Sequence, residues 1–271
     1  MQKIFKGDKY SVSYRITGEG IPVVLLHGFG EDSTIFNNQI DELKDKCQLI
    51  IPDIPGTGKS DLHYNEVTPD MGFLADCIKS LLDELKIEKC VLLGHSMGGY
   101  ITLSFAEKYS NSLLAFGLIH STAFADTEEK IVNRKRGIKL MEEYGAAPFL
   151  RNTFPNLFSA VYKEENNDEL NNLINQFSYI STETCVFYYE AMISRSDKTN
   201  VLKSTALPVL FVIGEDDIAA PMSDVLQQVP LPTVSFVHIL KNVGHMSMVE
   251  APGKLNKILI DYLSFVTRIS Q

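Results

Sequence analysis

Residues 92 to 100, LLGHSMGGY, restrict the fold more than any other stretch of this chain. The apolar run CVLLG at 90 to 94 meets G-x-S-x-G, and a helix-compatible segment follows to about Tyr109. Small residues at Gly94 and Gly98 let the backbone turn sharply from strand to helix, which leaves the Ser96 hydroxyl exposed at the strand's carboxyl end. G-x-S-x-G alone recurs by chance, but an ordinary tight turn does not account for a strand before it and a helix after it. Serine is a weak nucleophile until a base within hydrogen-bond reach takes its proton. A chain with this turn therefore needs further strand ends that deliver a base and a group to orient it.

The remaining sequence supplies such a sheet. Short β-rich runs appear as YSVSYRI (10 to 16), IPVVLL (21 to 26), QLIIPDI (48 to 54), LLAFGLI (113 to 119), LPVLFVIG (207 to 214) and VSFVHIL (234 to 240). They alternate with helical stretches, the pattern of a mostly parallel sheet in an α/β fold. Several are apolar on both faces, as buried parallel strands are. Between Thr68 and Lys86, Met71, Leu74, Ala75, Ile78, Leu81, Leu82 and Leu85 recur at helical steps, and Leu255, Ile258, Leu259, Tyr262, Leu263 and Val266 do so near the end. A length of 271 residues suits one large domain with an insertion.

The rhythm breaks between about Phe124 and Lys203. This stretch has no good strand, several helix-like segments and many aromatics: Phe149, Phe154, Phe158, Tyr162, Phe177, Tyr179, Phe187, Tyr188 and Tyr189. A structureless loop of that length is improbable. It is read as a helical cap, or lid, at 124–203 inserted into a core of 1–123 and 204–271. The aromatics either line a pocket or form the lid's own core.

Charge and composition exclude several classes. A net charge of −9 opposes a nucleic-acid partner. The one basic run, Arg134-Lys135-Arg136, follows Glu128-Glu129 and reads as a solvated helix face, with Arg134 or Arg136 a remoter candidate for a substrate carboxylate. The four cysteines, Cys47, Cys77, Cys90 and Cys185, lack C-x-x-C spacing and are expected to be reduced and mostly buried. The start MQKIFKGDKYSVSY lacks the apolar core of a signal peptide, and no uninterrupted apolar run approaches the roughly 18 residues of a membrane helix. The expected setting is the cytoplasm with no membrane partner; oligomeric state is left open.

The base and its orienting acid are sought downstream of Ser96. NVGHMSMVE places His245 in a loop after one strand, and VIGEDDIAAP places Asp216 and Asp217 directly after another. The order Ser, Asp, His is the one found on this kind of sheet. Among the other histidines, His238 lies inside a strand and His95 leaves the turn in another direction than Ser96. His27 reads as a brace for its glycine turn, while His63 and His120 have no supporting pattern.

DIPGTGKS at 53 to 60 is one residue short of a phosphate-binding loop, because Asp53 stands where the first glycine belongs. Asp53 would bring negative charge towards the anion, and the polar, proline-broken continuation SDLHYNEVTP does not start a helix. A nucleotide site is rejected.

HGFG at 27 to 30, DIPGTGKS, GHSMGG at 94 to 99, GEDD at 214 to 217 and GH at 244 to 245 together resemble the α/β-hydrolase superfamily over nearly the whole chain. The resemblance implies a mostly parallel central sheet with helices on both faces. It puts the acid at the fourth residue of G-x-x-D, Asp217, with Asp216 next and Asp126 more distant. It makes DIPGTGKS a turn that shapes the pocket wall. It also assigns one oxyanion-hole amide to Phe29; the other comes from Met97, the residue after the nucleophile. No cofactor or metal is implied. Aspartate-nucleophile dehalogenases and epoxide hydrolases are excluded by serine at 96, and the lid residues of the family's lyases and carbon–carbon hydrolases are not recognisable. The expected function is a serine esterase cleaving a small, largely apolar soluble substrate. The alternatives are a cofactor-free perhydrolase or haloperoxidase activity, and a small-molecule receptor on the same scaffold.

Overall fold

The computed structural model describes residues 2–270. Eight strands form one sheet: β1 (Gln2–Lys6), β2 (Ser11–Thr17), β3 (Pro22–Leu26), β4 (Gln48–Pro52), β5 (Cys90–His95), β6 (Leu113–Ile119), β7 (Val209–Gly214) and β8 (Ser235–Leu240). Their spatial order is β1-β2-β4-β3-β5-β6-β7-β8. β2 runs antiparallel to both β1 and β4, and every later neighbour is parallel. The expected α/β-hydrolase architecture is present. β1 was not foreseen: it is an edge strand whose residues are nearly all exposed, so it carries no apolar run to read.

The central strands are buried on both faces. Val24, Leu26, Leu92, Phe116, Leu118 and Phe211 pack on one side with the helices α2 (Met71–Glu84) and α3 (Met97–Tyr109). Their strand neighbours Val23, Leu25, Val91, Leu93, Ala115 and Val212 pack on the other with α1 (Asn37–Leu43) and α12 (Pro252–Ile269). This two-residue alternation is what near-continuous apolar runs produce in a covered parallel sheet. In α2 the N-cap Asp70 accepts from Phe73 N at 3.1 Å, and Met71, Leu74, Ala75, Ile78, Leu81 and Leu82 are buried as one stripe. α12 starts on Pro252 and buries its own stripe, each large aliphatic side chain contributing about 1.5–3 kcal/mol.

Between β6 and β7 the chain forms six helices and, among the described residues, no strand: α4 (Glu128–Tyr144), α5 (Ala146–Thr153), α6 (Ala160–Glu165), α7 (Asn167–Phe177), α8 (Thr182–Ser194) and α9 (Thr199–Ser204). α4 has the N-cap Thr127 with Glu128 and Glu129 in its first turn, and it ends at Gly145, whose φ of 84° needs no Cβ. Phe154, Phe158, Tyr162 and Phe177 cluster with one another at ring separations of 5.2–5.7 Å. Tyr188 is fully buried and donates its hydroxyl proton to Pro55 O at 2.8 Å, whereas Tyr179 is exposed. Phe154, Phe158, Tyr162 and Phe177 join the buried cluster on the α1 and α12 side of the sheet, and Phe187 and Tyr188 join the one on the α2 and α3 side, so most of these aromatics extend the core of the sheet. Two short helices, α10 (Met222–Leu226) and α11 (Ser247–Glu250), complete the chain.

Candidate active site

The turn after β5 is tight enough to demand its glycines. A Cβ on Gly94 would lie 2.1 Å from Gly98 O, and one on Gly98 would lie 2.3 Å from Leu26 O. Ser96 adopts φ 50°, a left-handed conformation rare for a residue with a side chain and costing of order 1–3 kcal/mol. Its surroundings hold it there: Ser96 N donates to Ile119 O at 3.0 Å, and Ser121 Oγ donates to Ser96 O at 2.7 Å. His95 and Met97 are buried on either side, while Ser96 keeps partial exposure.

Ser96 and His245 share the wall of a cavity of about 150 Å³, together with Phe29, Tyr100, Arg134 and Tyr189. Tyr189 stacks on Phe29 at 4.5 Å and is the aromatic of the inter-strand helices that reaches this wall. The amides of Phe29 and Met97 find no acceptor among the described residues, so both remain free to donate. No hydrogen bond joins Ser96 Oγ to His245; the hydroxyl and the imidazole Nε2 are each without a partner among the described residues.

His245 is set by its loop and by Asp217. Glu250, the acid that closes NVGHMSMVE, accepts from Gly244 N at 3.0 Å, Met246 N at 3.1 Å and Ser159 N at 2.9 Å. Asp217 Oδ2 accepts from His245 Nδ1 at 2.8 Å, so the ring's other nitrogen is the unprotonated one. A Cβ on Gly214 would stand 2.0 Å from Gly244 O, so the Asp217 turn and the His245 loop touch backbone to backbone. Asp216, by contrast, is exposed. Asp126 is held elsewhere, accepting from Arg134 Nε at 2.5 Å and from Arg195 Nη1 at 2.8 Å.

The sequence reading did not foresee His120. Its Nδ1 donates to the same Asp217 oxygen at 3.1 Å, and its buried Nε2 has no partner. The signal was its place directly after the strand LLAFGLI, beside the strand that ends in GEDD. Burial pushes the His120 imidazole down to about 4, against the hydrogen bond and charge of Asp217. Burial alone would raise the Asp217 carboxyl, but His245 and His120 hold it well below the usual carboxylate range. Burial likewise pulls His245 down, and Asp217 outweighs it, leaving this imidazole above the ordinary histidine value. The donor atoms of His120, Asp217 and His245 lie within 4.8 Å of one another, a spacing a metal ion could use, yet two N–H···O bonds already account for the approach.

A second buried carboxylate, Glu31, accepts from Gly28 N at 2.8 Å and faces His95 Nδ1 at 3.1 Å. His95 Nε2 donates to His245 O at 2.9 Å. Burial would raise Glu31, but His95 outweighs it and keeps the carboxyl low. His27 braces its turn as expected: its Nδ1 bonds Gly28 O at 2.9 Å and its Nε2 accepts from Ile54 N at 3.0 Å. His63 is exposed and His238 lies in the outer strand β8.

Two further readings meet their test here. No helix starts at Lys59, and Asp53 fills the DIPGTGKS turn by accepting from Ser33 N at 3.0 Å and Lys59 N at 3.1 Å. That turn lines a neighbouring cavity of about 610 Å³ rather than the one holding Ser96, a shift from the expected role. In the basic run Lys135 and Arg136 are exposed, but Arg134 turns inward to the Ser96 cavity. All four cysteines are buried and unpaired, with burial pushing each thiol up to about 12.

A family model described as the alpha/beta hydrolase fold matches residues 21–252. The chain belongs to that family. It is 27% identical to the 2-hydroxy-6-oxononadienedioate/2-hydroxy-6-oxononatrienedioate hydrolase of Paraburkholderia phymatum over 95% of this chain and 92% of that one. Among solved structures, the malate-bound esterase of Thermogutta terrifontis superposes with a TM-score of 0.91 and 25% identity, covering 98% and 99% of the two chains. The enol-lactonase of Burkholderia xenovorans LB400 superposes at 0.88 with 22% identity over 97% and 100%, a likeness of fold. Hydrolysis of small molecules is common to these proteins, and this chain takes its place among the hydrolases of the fold. No helix among the described residues is long and apolar enough to cross a membrane.

Proposed function

We propose that this α/β-hydrolase is a serine hydrolase that cleaves a carboxylic ester, or a similar acyl bond, of a small and largely apolar substrate. The observation that carries the reading is the His245 Nδ1 to Asp217 Oδ2 bond of 2.8 Å, which leaves the free ring nitrogen on a residue that shares a cavity with Ser96. Substrate bound in that cavity brings hydroxyl and imidazole together, as catalytic hydrogen bonds often tighten only in the complex. His245 takes the Ser96 proton while Oγ attacks the carbonyl carbon. The Phe29 and Met97 amides bind the oxyanion, each donor contributing roughly 3–4 kcal/mol to the transition state. Collapse releases the alcohol, which receives the proton from His245. Water then gives its proton to His245, attacks the acyl-enzyme, and Ser96 leaves with that proton.

In this reading residues 124–203 are the cap over a core of 1–123 and 204–271, and Leu157, Tyr189 and Met192 supply its apolar side of the cavity. The test is a panel of 4-nitrophenyl esters of increasing acyl length with the wild type and Ser96→Ala. Repeated turnover that falls about 10⁴-fold or more in the variant supports the mechanism. Equal rates would remove Ser96 from it, and one slow turnover that leaves ligand attached would favour the receptor alternative.

A second reading concerns substrate charge. Two guanidinium groups, Arg134 and Arg195, flank the one carboxylate of Asp126, and Arg134 lines the Ser96 cavity. The relative from Paraburkholderia phymatum is named for dioate substrates, and the Thermogutta terrifontis esterase binds malate. Both favour a substrate with a carboxylate beside its scissile bond. Arg134→Gln is expected to raise KM about tenfold for a 4-nitrophenyl hemisuccinate, the cost of a charge-assisted bond, and to leave 4-nitrophenyl butyrate within about twofold. Equal losses on both substrates would reduce Arg134 to a support for Asp126.

A further inference from the structure

The carboxylate of Asp217 has every acceptor site filled. Oδ1 accepts from Ala219 N and Ala220 N, both at 2.9 Å, and Oδ2 accepts from His245 Nδ1 at 2.8 Å and His120 Nδ1 at 3.1 Å. Four donors match the roughly four lone-pair sites of a carboxylate. Three of them fix the group without taking part in the proposed proton transfer.

We propose that His120 is a positioning residue of the Ser96–His245–Asp217 triad: by donating Nδ1–H to the oxygen that His245 also uses, it fixes the carboxylate and moderates its hold on the imidazolium. This rests on the serine-hydrolase reading above and goes beyond it.

The geometry restricts His120 to one protonation state. Nε2 is buried and lacks any acceptor, so a second proton there would be an unpaired buried charge. With Asp217 as its partner, the single proton belongs on Nδ1. Burial pushes the ring down to about 4, so His120 stays neutral across the range in which His245 changes charge. A neutral N–H aimed at Oδ2 withdraws part of the negative potential that would otherwise stabilise His245 as imidazolium. His245 therefore passes its proton on to the leaving alcohol more readily than it would opposite a carboxylate with one donor fewer. The other titratable or charged groups around His245 are Glu31 and His95 on one side, Glu250 in its own loop, and Ser96, Arg134, Tyr100 and Tyr189 on the wall of the shared cavity.

His120 is also built in at a cost. Its φ is 50°, and its N–H donates to Val212 O on β7 at 2.9 Å. The residues on either side, Ile119 and Ser121, bond the nitrogen and the carbonyl of Ser96. A tripeptide strained at its central residue thus ties the nucleophile's turn to the acid's loop, and strain of this kind persists where the surroundings over-determine it.

The experiment compares His120→Asn with His120→Ala on whichever neutral nitrophenyl ester the wild type turns over fastest. Asparagine tolerates a left-handed backbone and places an amide N–H near the position of Nδ1, whereas alanine removes the donor. His120→Asn is expected within about threefold of wild type in kcat, with an unmoved acid limb. His120→Ala is expected to lose about tenfold in kcat with KM little changed, the scale of one hydrogen bond to a charged group. Its acid limb in kcat/KM should move up by about half a pH unit, because Asp217 then holds the imidazolium more tightly. Equal losses in both variants with an unmoved limb would make His120 a packing residue and overturn the proposal, as would wild-type kinetics in His120→Ala. Should His120→Ala fail to fold, the ¹⁵N ring resonances of the wild type decide: a neutral Nδ1–H tautomer from pH 5 to 8 supports the proposal, and titration or an Nε2–H tautomer in that range refutes it. Absence of any Ser96-dependent turnover would instead sink the serine-hydrolase reading itself.

Discussion

Two buried carboxylates stand close to His245, and they differ in what their imidazoles do with the second ring nitrogen. Asp217 accepts from His245, whose Nε2 has no partner among the described residues and whose ring borders the Ser96 cavity. Glu31 faces His95, whose Nε2 is spent on His245 O. Both nitrogens of His95 already have partners, so neither is left to meet Ser96. Asp217 with two neutral imidazoles carries a net negative charge and has room for one more proton. In the proposed mechanism a buried carboxylate–histidine pair becomes a base only where one nitrogen is left unspent; where both are used, the pair is a strut.

The sharpest way to break this comparison is to neutralise each acid in turn. Asp217→Asn can present its amide N–H to His245 Nδ1 and so force the proton onto Nε2, the wrong tautomer for a base. The expected loss is about 10⁴-fold in kcat, the scale known for this change in serine-protease triads. Glu31→Gln keeps an oxygen where Oε2 accepts from Gly28 N and faces His95, but it strips the charge from a pair that is about 1% exposed. Breaking a buried pair costs about 3–5 kcal/mol, so the variant should melt roughly 10 °C lower while kcat falls less than about tenfold. Thermal unfolding and single-turnover rates on both variants read the split. If Glu31→Gln loses kcat on the scale of Asp217→Asn with its stability intact, the strut is part of the chemistry and the distinction fails.

The strand runs and the Ser96 turn were legible in sequence because each is a local pattern of hydrophobicity or small residues. His245 and Asp217 were legible as candidates because each stands in a loop after a strand, and the family resemblance, rather than spacing, put Asp217 ahead of Asp216, which is exposed. His120 and the Glu31–His95 pair were not legible. Their partners come from other strand ends, and only the order β3-β5-β6-β7 brings those ends side by side. The aromatics at 124–203 announced a helical segment but not its packing: rings that extend the core of the sheet, such as Phe154 and Tyr188, and a wall residue such as Tyr189 have the same composition. Arg134 likewise resembled its exposed neighbours Lys135 and Arg136, since one residue's rotation about a helix separates solvent from cavity.

The smallest effect gives the finest reading of the comparison. In the proposed mechanism His245 must be neutral to accept the Ser96 proton, and Asp217 holds it above the ordinary histidine value of about 6.5 against the pull of burial. As pH falls through that raised value the base is protonated, so kcat/KM on a neutral ester should be half-maximal above pH 6.5 and decline on the acid side. Removing an anion that favours the imidazolium moves the midpoint down. In the residual activity of Asp217→Asn, burial then dominates and the limb should fall below 6.5. In Glu31→Gln it should move in the same direction by less, because Glu31 acts on His245 only through space and less strongly than Asp217. A midpoint that rises in Glu31→Gln would mean that removing the Glu31 charge does more than remove a through-space attraction, and the strut and the base would then be one coupled system rather than two.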